Sequence, residues 1–382
     1  MGSQSSPEQA VLIYSDELSR HELSPTHPLK PVRYRYAYEL SQGAGLLDLP
    51  NVKVAPPREA TREEIETFHR PDYVDTVETI GAADRVADIG RYGFGPGDNP
   101  AYPGIYHANA MSAGSTMVAT ELVASGDAQV AFAIAGGLHH AMPAQASGFC
   151  VFNDPVMSIE WLLARDYRVA YVDIDCHHGD GVQHAFYDSD RVLTISIHES
   201  GRYLFPGTGD VGETGAGDGV GYSVNVPLAP YTTDEIYLEA FESVVPPLIE
   251  AFRPDAIFTQ LGIDTHFLDP LTHLSLTTQG HNQVVARLGE IGRDVGKWIA
   301  AGGGGYDLGA VARAWTMDLA TMAGHKLPDE IPVPAEELPS LTTFPDRDAP
   351  ELDGRSSAEV RDFALQSVSR VRETVFPIVG AS

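Results

Sequence analysis

Val169-Ala170-Tyr171-Val172-Asp173-Ile174-Asp175-Cys176-His177-His178-Gly179-Asp180-Gly181-Val182-Gln183-His184 is the stretch from which the rest of the chain can be read. Its first half is apolar and β-branched, the pattern of an interior strand. Its second half turns to acids, histidines and glycines. Side chains alternate along an extended chain, so Asp173, Asp175 and His177 are expected to point the same way. Two carboxylates and an imidazole meeting at the end of an interior strand are costly to bury unless paired or held by a metal. An ordinary turn with an acidic strand end explains this poorly. A metal or acid–base site explains it better.

Outward from this stretch, strands and helices alternate. Strands are expected at 11–15, 130–135, 168–175, 192–198, 223–226, 256–261 and 297–301. Helices are expected at 32–42, from Thr61 with Glu64 as its capping-box partner, and at 71–87, 105–124, 154–165, 180–187, 233–252, 277–291 and 308–323. This alternation indicates an α/β fold, a mostly parallel central sheet with helices on both faces. Residues 90–104 read as a loop carrying Asp98. The glycine-rich loop 199–221 is longer than structureless connections usually are, as functional loops tend to be. Prolines and acids dominate 328–353, which reads as extended wrapping or a linker before a terminal helix at 360–374 packed on the body. There is no internal repeat, and a single domain over residues 1–382 suffices.

The chain of 382 residues carries 53 acids against 25 bases, a formal charge of −28. Its lysines are Lys30, Lys53, Lys297 and Lys326. Such a surface repels nucleic acid and anionic membrane and favours cationic partners. No apolar run reaches membrane-spanning length, and Met1 to Gln9 lack a basic segment followed by an apolar core, so neither span nor secretory signal is expected. Cys150 and Cys176 do not make a disulfide framework; a reducing, cytoplasmic setting is expected.

Conspicuous chemistry sits at four strand ends: 136–140, 173–180, 262–264 and 302–306. In open α/β sheets ligands bind beyond the carboxyl ends of the strands, which gathers the four. Asp175, His177 and Asp264 then offer oxygen and nitrogen ligands suited to Zn²⁺ or Fe²⁺. Either of the adjacent His139 and His140 can face a water, and each needs a carboxylate behind it; Asp173 and Asp180 remain for that. Tyr306, after four glycines, can donate to an oxyanion. The set describes metal-assisted hydrolysis of a carbonyl compound.

Six blocks occur in order: Gly136-Gly137-Leu138-His139-His140-Ala141, Gly148-Phe149-Cys150, Val172 to Gly181, Phe205-Pro206-Gly207-Thr208-Gly209, Gln260-Leu261-Gly262-Ile263-Asp264 and Gly302-Gly303-Gly304-Gly305-Tyr306. They resemble the arginase-deacetylase superfamily, specifically the zinc-dependent histone deacetylases and their bacterial acetoin-utilisation relatives, over about residues 10–325. The resemblance implies the arginase-deacetylase fold and removal of acetyl groups from Nε-acetyl-lysine of proteins, with small acetylated amines such as acetylpolyamines as alternative substrates. It implies Zn²⁺, or Fe²⁺ in the cell, on Asp175, His177 and Asp264. His140, paired with Asp180, would be the principal general base and then acid; His139, paired with Asp173, would stabilise charge. Tyr306 would polarise the amide carbonyl.

By the same resemblance, Phe149 and Phe205 would wall a channel for the lysine methylenes, with Gly304 also among the channel residues. Gly148 would offer its carbonyl to the substrate amide. Asp98 would hold the substrate backbone at the rim, and Arg33 would line an inner channel. Leu271 stands at a rim position where polyamine-selective relatives carry glutamate, which lowers the polyamine reading. A structural K⁺ or Na⁺ would lie near Asp173, Asp175, His177, Ser196 and Ile197, and a second near Phe186, Val192 and Tyr222. Two other readings are a two-manganese hydrolase of guanidino or ureido compounds, against which Tyr306 stands, and an idle binding module, against which the intact set stands. Oligomeric state is left open.

Overall fold

A computed structural model describes residues 9–84, 86 and 88–382. The expectation of no leader rests largely on residues 1–8, which lie outside the described residues. Among the described residues, eight strands form one sheet: β1 (Ala10–Ile13), β2 (Val52–Ala55), β3 (Val130–Ala133), β4 (Val169–Asp173), β5 (Val192–Glu199), β6 (Ser223–Leu228), β7 (Ala256–Gln260) and β8 (Trp298–Ala301). Their order is β2-β1-β3-β8-β7-β4-β5-β6, and every pairing is parallel. The helices are α1 (Val32–Gly43), α2 (Arg62–Ile65), α3 (Pro71–Gly81), α4 (Ile105–Ser125), α5 (Asp154–Leu163), α6 (Asp180–Phe186), α7 (Asp234–Phe252), α8 (Thr278–Val295), α9 (Leu308–Met322), α10 (Gly354–Thr374) and α11 (Phe376–Val379).

Alternation along the strands sends successive side chains into two apolar layers. Leu12, Phe132, Val172, Ile195, Ile257 and Ala300 join residues of α1, α7, α8, α9 and α10 in one layer. Ile13, Ala131, Tyr171, Phe258 and Ile299 pack with α4 and α5 in the other. Both faces are therefore covered, as an all-parallel sheet requires. Each fully buried Leu, Ile, Val or Phe contributes about 1.5–3 kcal/mol of transfer free energy.

The clearest departures from the sequence expectations are three, besides a terminal helix that starts at Gly354 and not at 360. β2 was not expected: it is a four-residue edge strand with Lys53 and Val54 exposed, hence without an apolar run. The helix expected at 71–87 ends at Gly81, with Ala83 in the left-handed region; Arg85 and Ala87 lie outside the described residues. β4 stops at Asp173, two residues early. The 328–353 segment folds back on itself through Ile331 N–H to Thr342 O (2.9 Å) and Phe344 N–H to Asp329 O (2.9 Å), and it wraps the body, where the Thr278 hydroxyl donates to the Phe344 carbonyl (2.9 Å) and Arg313 Nη1 to Asp346 Oδ1 (2.7 Å). The expected capping box at α2 is present, with Thr61 and Glu64 exchanging bonds.

The four strand ends with conspicuous chemistry belong to β3, β8, β7 and β4, which are consecutive in the sheet. Their motifs therefore open onto one edge. Among the described residues, no helix is long and apolar enough to cross a membrane.

Candidate active site

Because β4 ends at Asp173, strand alternation does not align Asp175 and His177; side chains that turn the backbone do. Asp173 Oδ1 accepts the N–H of Asp175 (3.1 Å), and Asp175 Oδ1 accepts the N–H of His177 (2.9 Å). These are two successive Asx turns, a conformation short carboxylates favour. Asp264 follows β7 and reaches across to accept the N–H of Cys176 (2.7 Å). The ligand atoms of Asp175, His177 and Asp264 all lie within 4.8 Å of one another, and all three residues are buried. His177 Nδ1 is 2.8 Å from Asp264 Oδ2 and 3.2 Å from Asp175 Oδ1.

The donor set fits a divalent cation. Burial and the neighbouring Asp175 push the Asp264 carboxyl up to about 6, the mark of negative charges crowded without full compensation. Three protein donors, oxygen, nitrogen and oxygen, would leave coordination positions for water and substrate, as catalytic sites do.

Two histidine–carboxylate pairs face this triad. His139 Nδ1 is 2.8 Å from Asp173 Oδ2, which also accepts the Tyr171 hydroxyl (2.6 Å). His140 Nδ1 is 2.7 Å from Asp180 Oδ1, at the first turn of α6. The two Nε2 atoms are 3.0 Å apart, so one ring donates to the other. Burial opposes charge on both rings. For His139 the fields of Asp173 and Asp175 overcome it and carry the ring up to about 9. For His140 burial and the adjacent His139 carry it down to about 4, against Asp180. The pattern is a charged His139 donating to a neutral His140.

Phe149, in the left-handed region, sets its ring edge-on to Tyr306 (5.6 Å between centroids) and to His27 (4.6 Å). Phe205 packs edge-on against His140 (5.1 Å) and His177 (6.4 Å). Gly148 is needed between them: a Cβ there would lie 2.4 Å from His140 Cδ2 and 2.9 Å from Phe205 Cε1. The Gly148 carbonyl accepts the Cys150 thiol (3.3 Å). Gly304 N–H donates to Asp175 Oδ2 (2.7 Å), directly beside the triad. Burial and the nearby Asp264 push the Tyr306 hydroxyl well above its ordinary range, so it stays protonated.

The remaining expected residues divide between rim and interior. Asp98 is exposed, and its carbonyl meets His27 Nε2 (3.1 Å), which ties it to the Phe149 wall. Leu271 is half-buried, its N–H on Asp269 Oδ1 (2.9 Å). Arg33 is buried; it donates to the Gly305 carbonyl (2.8 Å) and lies over the rings of Tyr34 and Trp315. Ser196 is the register partner of Asp173. His198 Nε2 meets the Gly209 carbonyl (3.0 Å) and so carries the proton, leaving Nδ1 to accept from Ser196 Oγ (2.8 Å) with the hydroxyl lone pairs free. Ile197 offers its carbonyl to the Tyr237 hydroxyl (3.2 Å). Phe186 and Val192 share one apolar layer, and the Tyr222 carbonyl already accepts Thr194 N–H (2.9 Å).

Three supporting residues were not read from the sequence. Asp269 accepts the N–H of Tyr306 (2.9 Å) as well as that of Leu271. Asn153 donates its amide to the carbonyls of His139 (3.0 Å) and Ala141 (2.9 Å). Asp154 accepts the N–H groups of Gly137 and Leu138 (both 2.8 Å). Asn153-Asp154 immediately after a patterned block was the available signal; nothing in the sequence marks Asp269.

Comparison with known proteins agrees with this geometry. Residues 27–322 match the histone deacetylase domain model. The acetoin utilization protein AcuC of Bacillus subtilis (strain 168) is 40% identical over 330 residues, covering 84% of this chain and 85% of that protein. Type-1 histone deacetylase 1 of Dictyostelium discoideum is 38% identical over 323 residues, covering 84% of this chain and 64% of that protein. The crystal structure of a histone deacetylase homolog from Aquifex aeolicus superposes with a TM-score of 0.85 at 31% identity, covering 94% of this chain and all of that one. A histone deacetylase homolog complexed with SAHA gives the same TM-score at 30% identity, covering 95% of this chain and 100% of that one. With its parallel sheet, its buried Asp–His–Asp triad and these matches, the chain belongs to the histone deacetylase family of the arginase-deacetylase superfamily.

Proposed function

We propose that the protein is a metal-dependent amidohydrolase, with zinc as the cofactor, that removes acetyl groups from Nε-acetyl-lysine. The single observation that carries this reading is the pair of His–Asp dyads facing the Asp175–His177–Asp264 triad, with Tyr306 and the two phenylalanines beside it. Zn²⁺, or Fe²⁺ in the cell, held by those three residues supplies Lewis acidity to the amide carbonyl and to a water. His140, neutral and oriented by Asp180, exchanges its Nε2 contact with His139 for the attacking water, takes that water's proton and returns it to the departing lysine nitrogen. His139, paired with Asp173, stabilises the negative charge that builds. Tyr306 donates its hydroxyl to the carbonyl oxygen as it becomes an oxyanion. The C–N bond breaks, and the products are acetate and the free amine.

Phe149 and Phe205 enclose the lysine methylenes, and Leu271 at the rim favours an acyl-lysine over a ligand with a distal ammonium. A K⁺ or Na⁺ near Ser196 and Asp173 would support the 173–177 turn, and the free lone pairs on Ser196 Oγ favour that role. The test is acetate release by zinc-loaded and chelator-stripped protein from acetyl-lysine peptides, free acetyl-lysine, acetylated polyamines and longer acyl-lysines. Zinc-dependent release from peptides is expected. Preference for acetylated polyamines would overturn the substrate assignment, and undiminished release without metal would overturn the mechanism.

A further inference from the structure

Asp346 lies beyond residue 322, where the family match ends, yet its carboxylate is buried behind the active-site loop. Oδ2 meets His266 Nε2 at 2.8 Å and accepts the N–H (2.8 Å) and hydroxyl (3.1 Å) of Thr278 at the start of α8. Oδ1 accepts Arg313 Nη1 of α9 (2.7 Å). Its own N–H donates to Gln279 Oε1 (2.8 Å). Burial alone would raise this carboxyl, but His266, the Thr278 N–H and Arg313 hold it well below the ordinary carboxylate range. A charge so fully paired in a proline-rich segment is a fixed attachment point.

His266 stands two residues after Asp264 and opens the loop that carries Asp269 and Leu271. Its tautomer follows from its partners: Nδ1 accepts the Leu268 N–H (3.2 Å), so Nε2 carries the proton toward Asp346. The loop is closed at its base by Phe267 N–H to Leu276 O (2.9 Å) and Leu276 N–H to Thr265 O (3.0 Å). It is joined to the catalytic wall where Asp269 accepts the Tyr306 N–H. Thr272 adds a bond from its hydroxyl to the Asp264 carbonyl. The path from Asp346 through His266 thus ends at a metal-ligand candidate on one side and at the oxyanion donor's backbone on the other.

We propose that Asp346 is a positioning residue: through His266 it braces the 264–276 loop and so sets Asp264 and Tyr306 in place. The tail is in this way part of the active-site support. This rests on the deacetylase reading for its consequence in turnover, while the brace itself is measurable without substrate.

The decisive variant is His266→Phe, which keeps the ring packing on Phe267 and leaves Asp346 with Thr278 and Arg313, so the tail stays docked while the brace is cut. Arg313→Met is the reference, removing the tail's ion pair and sparing His266. Chelator-stripped protein is titrated with Zn²⁺, and backbone hydrogen exchange is followed at Phe267 and Leu276. His266→Phe and Asp346→Ala are expected to bind Zn²⁺ about 10–100-fold more weakly, the range for partners of metal ligands. Exchange in the loop should be about 10-fold faster, and kcat on an acetyl-lysine peptide should fall with KM little changed. His266→Gln, whose amide can still donate, should recover most of the affinity. Arg313→Met is expected to lower Tm with Zn²⁺ affinity and loop exchange within about 2-fold of the parent. Unchanged affinity and exchange in folded His266→Phe would overturn the brace, as would equal losses in Arg313→Met. A parent protein that turns over no acetylated substrate would sink the deacetylase reading instead, and loop exchange would still decide the brace.

Discussion

Replacing Gly262 with alanine tests the site through a single methyl group. A Cβ at Gly262 would lie 2.1 Å from Asp175 Oδ2 and 2.6 Å from Asp175 Cγ. Ordinary contact begins near 3.4 Å, so the carboxylate must retreat by about 1.3 Å. It has little freedom to do so, because Oδ1 is held by the His177 N–H and Oδ2 by the Gly304 N–H. Moving it sacrifices at least one charge-assisted bond, about 1.5–3 kcal/mol, which is about 10–100-fold in the affinity of whatever cation Asp175 helps hold. A displacement of that size also costs about 10²-fold in turnover when it moves the reacting groups apart. The assay is Zn²⁺ affinity by chelator competition, then kcat on an acetyl-lysine peptide at saturating Zn²⁺, with a thermal melt to establish that the variant is folded. Gly354→Ala, where a Cβ meets nothing within 4 Å, is the neutral control. A folded Gly262→Ala protein with parental Zn²⁺ affinity and turnover would refute both the ligand assignment and the packing argument.

Tyr306→Phe is expected to lower kcat by about 10²-fold or more, as loss of one oxyanion donor does, while bound metal stays stoichiometric; steady-state kinetics and metal analysis on one sample check it. Asp180→Asn leaves His140 without its anionic partner, and kcat should fall by at least about 10-fold with KM nearly constant, measured on the same peptide. His69 is buried and accepts the Asn153 N–H (2.9 Å), and burial carries it down to about 3. The unfolded chain protonates near 6.5, so between about 6.5 and 3 the unfolded state binds the extra proton and stability falls as pH falls. Urea unfolding at pH 7 and pH 4.5 should show the parent losing about 2 kcal/mol more than His69→Gln, and equal losses would remove the assignment. If the net charge of −28 steers cationic substrates, added salt should depress kcat/KM for a lysine-rich peptide more than for a neutral acylated substrate; parallel salt profiles would end that idea.

Fold class and the main site were legible because their signals are local. An interior strand such as Val169–Asp173 announces itself by a β-branched run, and the sheet rule places chemistry at the strand carboxyl ends whatever the distance along the chain. That was enough to bring Asp175, His177 and Asp264 together with His139, His140 and Tyr306. The short edge strand Val52–Ala55 has two exposed residues and no such run, so it was silent.

What the sequence by itself determined is which residue types are available at which strand ends. What only the tertiary structure decided is how they are held. Asp175 and His177 meet through successive Asx turns after the strand has ended, not through strand alternation. Asp269, Asn153, Asp154 and Asp346 support the site by bonds to backbone N–H and C=O groups and to side chains distant in sequence. Such bonds leave no periodic trace, because a buried backbone group accepts any correctly placed partner. The pairing of a charged His139 with a neutral His140 is likewise a property of burial and of charges brought near in space, which no spacing along the chain encodes.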